Sequence, residues 1–325
     1  MRFPELGYLS FFLLGAALTA AVMPLCKKIC ARYELVDEPG SRKMHSGSIP
    51  LAGGLAIFSG ILLALGMAGL LLAMHVADPT TVERIQYGFT HRGGQLAVIV
   101  CGGLAMLSLG LLDDRYELSP GIKFFGQVLV AFLVAASGIR ITLFVPSIVF
   151  SYAVTILWIV TLVNAFNFMD NMNGLCGGLA AIAALLFACS SALRGDYLVA
   201  GLSFLCAGSF CGFLPYNFPR ATAFLGDSGS HLLGFIVAVL AVLPHYYSSK
   251  YPHPAAVLSP LLILAVPLFD LASVVIIRWR AGQPFYLGDN NHLSHRLVRR
   301  GFPPVRAVIL IWLAALVIGA ISFLF

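Results

Sequence analysis

Apolar stretches long enough to cross a bilayer recur from one end of this chain to the other. A hydrocarbon core of roughly 30 Å takes about 20 apolar residues as a helix. The sequence offers about ten such runs: 7–26, 51–74, 94–112, 121–138, 148–165, 175–192, 197–214, 229–245, 257–277 and 306–324. In lipid every backbone N–H and C=O must find a partner, which leaves helices or closed barrels, and runs of this length select helices. Composition agrees, with 59% hydrophobic and 10% charged residues among 325, against about 25% charged in ordinary soluble domains. So few charges cannot clothe a soluble domain of this size, and they equally exclude disorder. The fold class expected is an all-α integral membrane protein of about ten transmembrane helices, a single polytopic domain over 1–325. The first run is too long for a signal-peptide core and has no convincing cleavage site, so it reads as a retained helix.

Ten spans place both termini on one side. With the termini outside, the inside segments are 27–50, 113–123, 164–174, 214–228 and 278–306, and they hold 14 of the 20 Lys and Arg. That is a positive-inside bias, and it makes the net charge of +6 a matter of topology, with no nucleic acid implied. The seven cysteines follow no metal spacing and read as small buried hydrophobes. Most acids share the inside face: Glu34, Asp37, Glu38, Asp113, Asp114, Glu117, Asp170, Asp227 and Asp289. Only Asp270, near Pro267, lies deep in a run, either as a functional acid or as a helix–helix contact. A transporter would concentrate such groups at broken helices near the midplane. Their gathering at one surface points instead to a site on the cytoplasmic face.

Five constellations occupy that face. GLLDDRYELSPGIK ends the third run with Asp113 and Asp114 and returns to the membrane at Lys123. Adjacent carboxylates are costly unless a proton or cation shares them, and hard oxygen donors beside a membrane suit Mg²⁺. A solvated helix end partnered by Arg115 accounts for the same spacing. NAFNFMDNMNGLCGG packs Asn164, Asn167, Asp170, Asn171 and Asn173 between two apolar runs. Capping explains one or two of them, and the others are expensive to bury without a ligand or metal. YNFPRATAFLGDSGSHLLGF carries Asn217, Phe224, Gly226, Asp227 and Ser230; small residues around an acid at a helix start admit an anion to backbone N–H groups, or simply serve helix packing. LGDNNHLSHRLVRRG sets His292 and His295 on one face of a turn, followed by Arg296, Arg299 and Arg300. Zinc lacks further ligands there, leaving phosphate binding, or headgroup attraction for the arginines. LVDEPGSRKMHSGSIPLAGG places Arg42, Lys43 and His45 among turn residues, as a topogenic cluster or an ordered loop.

In order and in loop placement, from about residue 27 to 300, these motifs resemble those of the polyprenyl-phosphate N-acetylhexosamine-1-phosphate transferases. The resemblance implies that a lipid phosphate attacks the sugar-bearing phosphorus of a UDP-sugar and releases UMP. It implies Mg²⁺ as cofactor, with Mn²⁺ as an alternative, and a UDP-sugar and a polyprenyl phosphate such as undecaprenyl phosphate as partners. It also implies a multi-pass protein of a bacterial cytoplasmic (inner) membrane whose site faces the cytoplasm; a homodimer is a family option that no stretch here marks. By the same resemblance Asp227 is the metal-binding aspartate, and Asn167 shares the ion. Asp113 and Asp114 orient or deprotonate the lipid phosphate, and Lys123 contacts phosphate. Phe224 stacks on uracil within a surround of Asn217, Asp170 and Asn173, and His292 and His295 form a histidine loop near the phosphates. The loop bearing Arg42, Lys43 and His45 resembles the GlcNAc-type branch, which favours UDP-GlcNAc. Two departures stand out: Asn173 where bacterial members commonly carry an acid, and Ser294 where they carry a third histidine. A transporter or lipid flippase, and a non-catalytic relative that binds UDP-sugar, are the competing readings.

Overall fold

The computed structural model describes residues 5–38, 47–74, 79–247, 253–284 and 291–325. Arg42, Lys43 and His45 lie outside the described residues. The architecture is helical: α1 (Glu5–Arg32), α2 (Gly53–Ala73), α3 (Pro79–Tyr116), α4 (Pro120–Ala136), α5 (Ile148–Met169), α6 (Leu175–Arg194), α7 (Tyr197–Asn217), α8 (Gly226–Leu240), α9 (Ser259–Ile263), α10 (Ala265–Arg280), α11 (Leu293–Arg299) and α12 (Pro304–Ala320). Between α1 and α2, β1 (Val36–Asp37) pairs antiparallel with β2 (Ile49–Pro50), in the register Val36 to Pro50 and Asp37 to Ile49. That small ladder closes the loop read as ordered from its Pro and Gly punctuation.

Each of the apolar runs coincides with helix, but not all with a full-length span. Among the described residues seven helices are long and apolar enough to cross a membrane. Two shorter apolar helices, α4 and α8, have 17 and 15 residues. The run 257–277 is broken: α9, with the turn before it, and α10 meet at an angle of 67°. Pro267 is the cause, since it has no N–H to give the carbonyl of Ile263 and its ring crowds that carbonyl. α3 also begins well before its apolar run and carries a long extension ahead of Arg92. The chain is thus a multi-pass membrane protein by helix length and apolarity, with the number of crossings smaller by this measure than the runs alone suggest.

α8 lies at the centre. All of its residues but Asp227 are buried, and it packs on α2, α3, α5 and α6. The outer faces of α1, α4, α5 and α12 expose Leu13, Leu25, Phe125, Leu129, Leu157, Leu313 and Val317, as lipid-facing helices do. α3 meets α8 by close backbone approach at its last turns, and Phe235 and Leu232 of α8 fill the space over Gly102 and Gly103. A Cβ on Gly110 would collide with the backbone of Asp227 and Ser228. The small residues of GDSGS therefore do serve helix packing, and by doing so they bring the last turn of α3 onto the first turn of α8.

Candidate active site

That junction assembles the acids. Gly226 opens α8 with φ of +73°, a left-handed conformation suited to glycine. The first N–H groups of α8 have no partner within the helix, and Asp114 supplies one. Its Oδ1 accepts from the Asp227 N–H at 2.8 Å and its Oδ2 from the Ser228 N–H at 3.1 Å. A carboxylate at a helix N-terminus satisfies donors and complements the helix dipole. Asp114 is therefore committed to aligning α3 with α8. Asp113, one residue earlier, projects to another side of the same turn. Its Oδ1 accepts from the Leu118 N–H at 2.9 Å, and its Oδ2 lies 2.7 Å from Nζ of Lys123 at the start of α4.

The side chains of Asp113 and Asp227 come within hydrogen-bonding reach of each other. From α5, the amide Nδ2 of Asn167 donates to Asp227 Oδ1 at 2.7 Å and to Ser230 Oγ at 2.9 Å. Asp113, Lys123, Asn167 and Asp227, predicted from three separate segments, thus form one cluster where α3, α4, α5 and α8 meet. Two facing carboxylates need a proton or a cation between them, and one lysine and one amide are the compensation present. Among the described residues no three His, Cys, Asp or Glu side chains make a ready metal cage. A carboxylate pair without a cage fits Mg²⁺, which keeps waters and takes substrate phosphates, better than it fits zinc. The Asn167 amide nitrogen faces Asp227, so this side chain steadies the acid in the arrangement seen.

Beside the cluster lies a cavity of about 810 Å³. Its walls come from the α5–α6 turn (Asp170, Asn171, Asn173), the α7–α8 loop (Asn217, Arg220, Phe224), Gly226, His295 and Asp37 of β1. Asn217 is buried and spends both ends on backbone: its Oδ1 accepts from the Gly174 N–H at 2.6 Å, and its Nδ2 donates to the Ala223 carbonyl at 3.0 Å. It fastens the two loops together. Phe224 extends the ladder, giving its N–H to the Pro50 carbonyl and accepting from the Gly53 N–H, both at 2.9 Å. Its ring is thereby presented to the cavity from a fixed backbone. Asn173, partly exposed, donates to the Pro219 carbonyl at 3.4 Å. Asp170 is pushed up to about 7 by burial and then by the charge of Asp114, well above the usual carboxylate range.

The histidine segment reaches the cavity from the opposite wall. His292 precedes α11, and its Nδ1 lies 2.7 Å from Oδ2 of Asp270 in α10. Asp270 is fully buried, and its other oxygen accepts from the Leu293 N–H at 2.6 Å. The His292 and His295 rings are 6.3 Å apart, as their spacing predicts. Ser294, fully buried between them in sequence, donates its hydroxyl to Asn171 Oδ1 at 2.7 Å. Phe168 meets His292 edge-on at 5.7 Å between centroids, and the buried Arg278 guanidinium sits 5.1 Å from the Phe168 centroid.

The asparagine-rich run is now divided by role. Asn164 turns to α4 and donates to Gln127 Oε1 at 2.7 Å; Asn167 serves Asp227, Asn171 serves Ser294, and Asp170 and Asn173 face the cavity. None caps α6, whose N-cap is Gly174. Sequence reasoning passed over Gln127 and Arg278, and it left Asp270 without a partner. Gln127 and Arg278 had a visible signal, a polar residue within or at the edge of an apolar run. The partner of Asp270 had none, because 22 residues separate it from His292.

Comparison with known proteins converges on the same region and extends past it. The family model for glycosyl transferase family 4 matches residues 96–245, from α3 to just beyond α8. A probable undecaprenyl-phosphate N-acetylglucosaminyl 1-phosphate transferase of Bacillus subtilis is 33% identical over 93% of this chain and 80% of its own length. A decaprenyl-phosphate N-acetylglucosaminephosphotransferase of Mycobacterium leprae is 34% identical over 96% of this chain and 83% of its own. An undecaprenyl-phosphate alpha-N-acetylglucosaminyl 1-phosphate transferase of Escherichia coli is 29% identical over 94% and 80%. With likeness running nearly the whole length of the chain, through the acid cluster and the histidine segment alike, this protein belongs to glycosyl transferase family 4.

Proposed function

We propose that the protein transfers GlcNAc-1-phosphate from UDP-GlcNAc to a polyprenyl phosphate, undecaprenyl phosphate in a bacterial inner membrane. An oxygen of the lipid phosphate forms a bond to the sugar-bearing phosphorus. The bond from that phosphorus to the bridging oxygen breaks, and UMP leaves with the electron pair. The relatives' names share this donor group and this class of acceptor. The observation that carries the reading is the cluster of Asp113, Lys123, Asn167 and Asp227 opening beside an 810 Å³ cavity, at helix ends where a lipid headgroup and a soluble nucleotide can meet.

The roles follow from charge. A diphosphate and a lipid phosphate repel each other, so the site must first neutralise them. Lys123, held by Asp113, supplies a cation to the lipid phosphate, and His292 and His295 supply donors to the diphosphate. Asp227, with the facing carboxylate of Asp113, would hold Mg²⁺ or Mn²⁺; Asn167 would join through its oxygen only if its amide turned over. The ion would supply charge neutralisation and orientation of the diphosphate. A phosphate with a second pKa near 6 is largely ionised at neutral pH, so Asp113 is assigned to positioning rather than to strong general-base work. Phe224 and the surface made by Asn173 and Asp170 receive the uridine, while Asn217 shapes it from behind.

For topology, the seven long helices, the bent α9–α10 pair and the short α4 and α8 together supply ten crossings. Ten crossings keep both termini on one side, and the Lys and Arg bias of the loops supports the reading that the termini are outside and the cavity faces the cytoplasm. The experiment is Mg²⁺-dependent UMP release by purified protein given undecaprenyl phosphate and a panel of UDP-sugars. Release with UDP-GlcNAc that requires the lipid phosphate is the expected result. Folded protein that releases no UMP from any sugar overturns the reading.

A further inference from the structure

Asp270 is the one acid that the sequence places deep in an apolar run. It has no exposed surface, and a buried carboxylate is tolerated only with close partners. Packing alone does not call for it, since an uncharged side chain could join two helices at lower cost. Both oxygens are occupied, and both reach the histidine segment: Oδ2 to His292 Nδ1 at 2.7 Å and Oδ1 to the Leu293 N–H at 2.6 Å. A carboxylate accepts and does not donate, so the Nδ1 facing it carries a proton. That leaves Nε2 as the only other polar atom of the imidazole. The ring is then fixed from its sides, by Phe168 edge-on at 5.7 Å and by His295 at 6.3 Å.

We propose that Asp270 is a positioning residue that acts through His292: it fixes the proton on Nδ1 and the plane of the ring, so that with the diphosphate bound the imidazolium gives its Nε2–H to that anion. The inference rests on the transferase reading above. It assigns the deep acid to setting one imidazole in place, with no part in a path through the membrane. The neighbouring charges are accounted for. Arg296 gives a hydrogen bond to Ser273 Oγ at 3.2 Å, and that hydroxyl bonds the Asp270 backbone carbonyl at 2.9 Å. Arg278 lies against Phe168 at 5.1 Å. Among the described residues, His292 is the ionisable side chain seen against the Asp270 carboxylate, at 2.7 Å.

The informative variant is Asp270→Asn, which keeps the shape but has one acceptor where two are needed. The Leu293 N–H is a fixed donor and claims the Asn oxygen, so the Asn amine faces Nδ1. His292 can then carry a proton only on Nε2, and it meets the diphosphate as a neutral ring without the charge that Asp270 supports. In the UMP-release assay the variant is expected to lose between about 10- and 100-fold in kcat, as loss of an imidazole's orienting partner commonly does, with KM for UDP-GlcNAc within about twofold. In a His292→Ala background the same change is expected to cost nothing further, because its target is gone. Imidazole ¹⁵N spectra of the folded proteins give a readout apart from turnover: His292 protonated at Nδ1 in the wild type, and at Nε2 alone in Asp270→Asn. Normal kcat in Asp270→Asn, or losses that multiply in the double variant, overturns the inference. Should Asp270→Asn fail to fold, a wild-type spectrum with an unprotonated Nδ1 overturns it equally. Absence of UMP release by the wild type counts against the transferase reading alone and leaves the tautomer measurement standing.

Discussion

The acid cluster stands beside the cavity and the histidine segment contributes His295 to its wall, and the two regions are built in opposite ways. Asp113, Asp114, Lys123, Asn167 and Asp227 sit at the ends of four long or central helices, and the backbone contact of α3 with α8 at Gly110 sets their relative positions. His292, Ser294 and His295 hang on α11, seven residues long, held by side-chain bonds from Asp270 and Asn171. In the first region helix packing places the chemistry. In the second a few hydrogen bonds do. A substitution in the cluster should therefore change chemistry without moving much, whereas a substitution in the segment should change position.

The sharpest test of that contrast is Asp227→Ala. The residue lies in the first turn of α8, but the two N–H groups there are satisfied by Asp114, so the helix should stay in place. Turnover is expected to fall by at least about 10³-fold, the scale of losing the main charge-stabilising group in a site, with the thermal midpoint nearly unchanged. Near-normal UMP release would remove Asp227 from the metal assignment. Lys123→Met should come next, at about 10²-fold. Its loss should appear mainly in the KM for the lipid phosphate, since UDP-GlcNAc is assigned to the other wall. A change confined to the nucleotide KM would place Lys123 with the wrong substrate.

Ser294→Ala tests the second region and should do less. It removes the bond to Asn171, worth about 1 kcal/mol, and leaves the Asp270 anchor. A loss of about three- to tenfold in kcat/KM for UDP-GlcNAc is expected, with little change in thermal midpoint. Asn171→Ala should match it, and the double variant should be no worse than either, because both remove one bond. Independent, multiplying losses would show that Ser294 acts on substrate, as a third histidine would.

How far these regions could be read in advance differs for the same physical reason. The helices and nearly every cluster residue were legible, because apolar run length fixes helices and the acids stand at run ends. The cavity also was foreshadowed by the polar excess in NAFNFMDNMN. What escaped is long-range pairing. That Asp114 caps α8, that Asn217 joins two loops, and that Asn171 meets Ser294 across 123 residues depend on side-chain direction in the packed state, which no local pattern carries. The departure at Ser294 illustrates this. In the sequence it reads as a missing imidazole, and in the structure it is a buried hydroxyl with a definite partner. The break at Pro267 was available from the proline itself, yet the long apolar run around it concealed the bend.

The smallest expected effect lies on the wall shared by both regions. Burial raises Asp170 to about 7, above its value in an unfolded chain near 4. An acid raised in the folded state binds a proton more tightly there than when unfolded. Its contribution is therefore fully present below about pH 4 and is lost as the pH climbs through 7. At pH 8 the wild type must hold a charge in a poorly solvated place, whereas Asp170→Asn does not. The variant should thus be more stable than wild type at pH 8, by about 1–2 kcal/mol after allowing for the open side toward the cavity, and no more stable at pH 4. Thermal midpoints of the two proteins across that range give the answer directly. Curves that stay parallel would mean that Asp170 is solvated, and that the α5–α6 turn opens further to water than its packing against the α7–α8 loop allows. Converging curves at low pH would mean that the uridine wall carries a carboxyl whose charge is set by what binds against it. UDP binding should then depend on pH near 7 in the wild type and lose that dependence in Asp170→Asn.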